Sequence, residues 1–137
     1  MAFECNFTAF RHATWGGENS LDYLVCVSED LSQACFAWSF ATTPGGEVRI
    51  RLENAEPGAQ GVHARYEADM VDPVTGKAVG GSYLIAQIDA STLKALPIAP
   101  GETEDVVLYH TLYVTQPGSP KRAECFGSLT IKQGAPD

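Results

Sequence analysis

The run Cys35-Phe36-Ala37-Trp38-Ser39-Phe40 and the run Glu47-Val48-Arg49-Ile50-Arg51-Leu52 decide how this chain is read. Apolar residues fall at every second position, with Phe36, Trp38 and Phe40 in the first run and Val48, Ile50 and Leu52 in the second. Glu47, Arg49 and Arg51 take the alternate positions. A period of two marks a strand with one buried face, because successive side chains leave a pleated backbone on opposite sides. Between the runs, Thr43-Pro44-Gly45-Gly46 suits a reversal, since proline presets φ and glycine admits positive φ. The two runs are expected to pair as a hairpin with Val48, Ile50 and Leu52 inward.

Similar runs recur outward from this hairpin. Leu21–Val27, Val62–Met70, Ser82–Ile88, Val106–Thr115 and Ala123–Ile131 read as strands, and Glu56–Gly61, Asp72–Lys77 and Gln116–Pro120 as turns or loops. Asp89–Leu96 is the one helical candidate, with Asp89 or Ser91 as cap and Pro97 as stop, so a short helical turn is expected near residues 90–96. Pro100–Asp105 reads as a polar loop. Many short strands with almost no helix predict an all-β protein: an immunoglobulin-like antiparallel β-sandwich forming one domain over 1–137. The ends, 1–4 and 133–137, are expected to be flexible.

Composition narrows the classes of function. The chain has 137 residues, 45% of them hydrophobic and 19% charged, which suits a domain with its own core. Its formal net charge of -8 repels phosphate backbones and anionic lipid, so neither nucleic acid nor membrane is expected as a partner. No apolar run approaches the roughly 20 residues of a membrane span. Met1-Ala2-Phe3-Glu4-Cys5-Asn6 lacks a basic segment followed by an apolar one, and folding in a reducing cytoplasm is expected.

The residue types that usually carry chemistry have structural readings here. Cys5, Cys26, Cys35 and Cys125 include no C-x-x-C pair, and each lies within or beside an apolar run, so they are expected to be small buried hydrophobes. His12, His63 and His110 are widely spread, and His110 is expected to be a partly exposed sheet residue. Gly16-Gly17 and Gly80-Gly81 precede strands, which makes them turns or bulges rather than phosphate cradles. Asp69 and Asp72 do not supply alternate oxygens for calcium. No metal, cofactor or catalytic residue is assigned, and the chain is expected not to be an enzyme. A hydrolase on this scaffold would need His63 or His110 beside a cysteine, serine or carboxylate in a cleft.

Trp15, in the Gly-rich stretch Ala13-Thr14-Trp15-Gly16-Gly17, is the candidate exposed aromatic platform that a carbohydrate-binding sandwich would use. With His12, Arg49 and Arg51 it makes up the candidate interface or ligand platform.

The second half of the chain carries a further pattern. A Thr75-Gly76 turn leads to Gly81-Ser82-Tyr83-Leu84-Ile85-Ala86-Gln87-Ile88-Asp89, then Ser91-Thr92-Leu93-Lys94-Ala95-Leu96. Leu108-Tyr109-His110-Thr111-Leu112-Tyr113-Val114-Thr115 follows, and Phe126-Gly127-Ser128-Leu129-Thr130-Ile131 closes it. Over roughly residues 70–133 this resembles the immunoglobulin-like domains of tailed-bacteriophage tail and baseplate proteins. The motifs are ordinary strand chemistry; in that family further sequence reaching a fibre or receptor-binding module usually follows, whereas this sequence stops at Asp137, so the domain alone is expected. The resemblance implies a virion structural subunit, a tail, baseplate or fibre-attachment adaptor, with a head decoration protein as the alternative. It implies other virion structural proteins as partners, in multiple symmetric copies, after folding in the host cytoplasm.

Overall fold

A computed structural model describes residues 2–18, 20–96 and 105–133. In chain order the elements are β1 (Phe3–Glu4), β2 (Phe7–Phe10), β3 (Trp15–Gly16), β4 (Tyr23–Val27), β5 (Cys35–Ala41), β6 (Val48–Glu53), β7 (Gly61–Glu67), β8 (Gly81–Ile88), α1 (Ala90–Lys94), β9 (Val106–Thr115) and β10 (Arg122–Lys132). They form an all-β sandwich of two open sheets. The larger sheet runs β10-β9-β5-β6, with β1 and β2 both added to β10 in parallel. In the smaller sheet β8 is central, with β7 along one edge and β3 and β4 in succession along the other. From β4 onward this is the strand order of an immunoglobulin-like sandwich, in which the second, fifth and fourth strands face the third, sixth and seventh.

The expected hairpin is present, with Trp38 opposite Leu52 and Phe40 opposite Ile50. One detail differs. Ala41 pairs with Val48, so Arg49 is an extra residue in a bulge and the alternation breaks there. Val48, expected inward, is consequently 48% exposed on the outer face. The strand expected over Val62–Met70 stops at Glu67, and Met70 folds back so that its sulfur occupies the space beside Gly81.

Phe3 and Glu4, within the segment expected to be flexible, are in a strand. They pair with Cys125 and Phe126, because the β10 backbone offers a free edge there. Asp89 does stand at the N-cap of α1, but its carboxylate accepts a bond from Gln87 Nε2 (2.8 Å) and caps nothing. Pro97, residues 100–104 and residues 134–137 lie outside the described residues.

The core lies between the sheets. Phe36, Trp38, Phe40, Leu108, Leu112 and Leu129 from the larger sheet meet Leu24, Val62, Leu84 and Ile88 from the smaller one. Burial of this apolar surface is the main stabilising term. Where antibody domains pack a tryptophan of the third strand against a disulfide, Trp38 packs against His110, and all four cysteines are free thiols.

Candidate functional site: a trough on the outer face of the larger sheet

Because side chains alternate, the residues that skip the core in β5, β9 and β10 line up on the outer face. Two rows define it: Ser39–Thr111–Phe126, and Ala41–Tyr109–Ser128. Small residues on β5 leave a depression between the aromatic rings of β9 and β10 and the Pro44–Gly46 turn. Glu4 and Asn6 close its far side. The resulting trough has a volume of about 650 Å³, within the range of ligand-sized clefts. Tyr109 and Phe126 are 41% and 44% exposed along it. Glu4 is the one carboxylate among the described residues of its lining. Asn6 is fixed at the wall, its Oδ1 accepting bonds from Ser128 N (3.0 Å) and Ser128 Oγ (3.1 Å). At one end, Lys121 Nζ sits 4.8 Å from the centre of the Tyr113 ring.

Beneath the floor lies His110. Trp38 Nε1 donates to His110 Nδ1 at 3.0 Å, and His110 Nε2 donates to the Cys5 carbonyl at 2.8 Å. Both ring nitrogens are therefore used, and the partners select the Nε2–H tautomer. Phe7 and Phe40 flank the ring with centroids 5.5 and 5.6 Å away. Opposite it, Gly127 has φ +153°, and a Cβ there would lie 2.0 Å from the Cys5 carbonyl oxygen. That close approach lets β1 lean in and deliver the carbonyl to the histidine. The expectation of a partly exposed His110 is thus corrected: it is 2% exposed, on the inward side of β9 with Leu108 and Leu112. Burial lowers its pKa, partly opposed by the bond to the Cys5 carbonyl.

Trp15 is likewise not a platform. It is 4% exposed, with its ring 5.3 Å from Phe7 and 6.3 Å from Trp38. Its Nε1 donates to Asp22 Oδ2 at 3.0 Å, which satisfies the only polar atom and lets the ring enter the core. His12 is half-buried in the β2–β3 connection. Arg49 and Arg51 are exposed on the edge strand β6, facing Glu47 at 3.7 Å and Glu53 at 3.1 Å. The four residues of the expected platform are not brought together.

Three other clusters have local explanations. Between β3 and β4, Glu18 reaches across β8 to His63 Nε2 (2.6 Å) and Arg65 Nη1 (3.8 Å). His63 thus gains the carboxylate a catalytic histidine would need, but among the described residues no serine or cysteine bonds to it. Cys26, Glu29 and Glu124 present ligand atoms within 4.8 Å of one another. Arg122 donates to Glu29 (2.6 Å) and Glu124 (3.2 Å) and supplies the positive charge there. Burial and the neighbouring Glu124 raise the Cys26 thiol well above its ordinary pKa. Cys26 and Cys125 are buried as expected and Cys5 partly so, but Cys35 is exposed, because it begins β5 on the outward side of the alternation.

The trough has no counterpart in the sequence reading, although β9 carried a signal. Tyr109, Thr111 and Tyr113 alternate with the inward residues, so two large rings stand where a solvated face needs none. Neither a protein-family model nor a curated protein matches the chain.

Proposed function

We propose that this chain is a non-enzymatic structural subunit acting through protein–protein contacts, and that the outer trough is where its partner docks. The observation that carries this reading is the trough itself. On a chain of net charge -8 it is nearly free of charge and rimmed by exposed Tyr109, Phe126 and Val48. Depleted charge with enriched aromatics is the composition of an interface centre. The partner is a structural protein presenting an apolar side chain flanked by lysine or arginine, which complements Glu4 and the net negative charge of the chain. The resemblance to tail and baseplate domains supports a place in a tailed-phage virion. There, repeated copies turn a modest single contact into firm attachment.

Mass spectrometry of purified particles of the encoding phage, with cross-linking, tests the reading. The protein is expected in the particle with cross-links near Lys121, beside the trough. Absence from intact particles refutes the virion assignment, and cross-links confined to the smaller sheet refute the docking surface.

A second reading is favoured by one observation. The trough floor carries the Ser39 and Thr111 hydroxyls between aromatic walls, a combination that suits a neutral saccharide. Binding on a glycan array, lost in Tyr109→Ala and kept in Trp15→Phe, would select it over the protein partner.

A further inference from the structure

The smaller sheet ends on an uncovered strand. Among the described residues nothing pairs with the second edge of β4, the place where an immunoglobulin sandwich sets its first strand. Here the opening strands β1 and β2 have both gone to β10 instead. The Ser28 N–H bonds to the Gly80 carbonyl (2.8 Å), which fixes the alternation along β4. Leu24 and Cys26 turn their backbone groups to β8, and Tyr23, Val25 and Val27 turn theirs to the open edge.

Edge strands in monomers are normally guarded by charge, proline or a bulge. The edge strand β6 carries Arg49, Arg51 and Glu53, and β7 carries Arg65 and Glu67. β1 and β2 are only two and four residues long. By contrast Tyr23-Leu24-Val25-Cys26-Val27 holds no charge, and Tyr23 and Val25 are 42% and 45% exposed. The preceding Leu21 is 90% exposed, and Asp22 is engaged by Trp15.

We infer that β4 pairs antiparallel with β4 of a second copy of this chain, joining the two smaller sheets into one continuous sheet across a two-fold axis. Val25 sits on that axis and exchanges both backbone bonds with its own equivalent, while Tyr23 faces Val27. An aromatic opposite a β-branched residue is a favourable cross-strand pair. A two-fold contact sets like against like, so on so acidic a chain it requires a strand without charge. β4 meets that requirement and β6 and β7 do not. The inference is independent of the use made of the trough, which lies on the other sheet.

Sedimentation equilibrium over a concentration series tests it, with Val25→Lys as the disrupting variant and Val107→Lys, on the outer face of the larger sheet, as control. The expected result is a dimer whose dissociation constant rises at least about tenfold in Val25→Lys and is unchanged in Val107→Lys. Hydrogen exchange on the unmutated chain covers the case in which Val25→Lys fails to fold. The Tyr23, Val25 and Val27 amides are then expected to gain protection as concentration rises. A monomer up to about 1 mM, a dimer that survives in folded Val25→Lys, or a dimer whose β4 amides stay unprotected overturns the inference.

Discussion

Trp38 and His110 meet diagonally across neighbouring strands in the core, the indole N–H donating to the imidazole Nδ1 at 3.0 Å. A proton arriving on Nδ1 would set two donors against each other. The folded pKa lies below the ordinary 6.5, chiefly through burial, so the unfolded chain takes up the proton first. The stability this neutral histidine supports is complete above pH 6.5 and declines as pH falls below it. Denaturant melts at pH 7.5 and pH 5 are expected to show that decline, and His110→Phe, which cannot titrate, is expected to flatten it.

Gly127 is the backbone counterpart of that arrangement. Gly127→Ala forces a side chain into positive φ and against the Cys5 carbonyl, 2.0 Å from where its Cβ would stand. The expected loss is about 1–3 kcal/mol in equilibrium unfolding. It should be accompanied by faster hydrogen exchange at the Cys5 amide, which bonds to the Phe126 carbonyl at 2.8 Å.

Trp15→Ala and Phe126→Ala separate core from surface. Trp15 is buried against Phe7 and Trp38, so its truncation is expected to cost about 3–5 kcal/mol. Phe126 is 44% exposed, so its truncation is expected to change stability by under about 1 kcal/mol. For partner binding the order reverses, with Phe126→Ala expected to weaken it about tenfold or more.

Thiol labelling gives an independent check on burial. Cys35 is exposed and is expected to react with a maleimide in the native protein. Cys26 and Cys125 are buried with thiols held in the neutral form, and are expected to react only on unfolding. Fast native labelling of Cys125 would contradict the packing of β10.

The architecture was legible because alternation is strong where a strand buries one face. The hairpin of β5 and β6 and the long β9 announce themselves that way, whereas the short α1 is marked by its polar start at Asp89 and Ser91 and by Pro97 after it. Val48 escaped because a bulge adds a residue without altering the residue types around it. Trp15 misled because its polar, glycine-rich neighbours suggested exposure, whereas Asp22, seven residues on, satisfies its one polar atom and frees the ring for the core. His110 was hidden by chemistry: a histidine becomes a core residue only when both nitrogens find partners, and these come from residues 38 and 5. The trough depends on rows assembled from three strands distant in sequence, which no local window contains.

The parallel pairing of β2 with β10 sets Phe7 against Leu129 and Phe10 against Lys132, residues from opposite ends of the chain. β10 also carries β9 on its other side, so this one strand ties the opening segment of the chain to the rest of the larger sheet. A folding chain therefore leaves Phe7 and Trp38 without their mutual cover until β10 has been made and β2 has paired with it. Closing so distant a contact is slow, which makes the interval before β2 docks on β10 the time when the folding chain is most exposed to aggregation and to proteases.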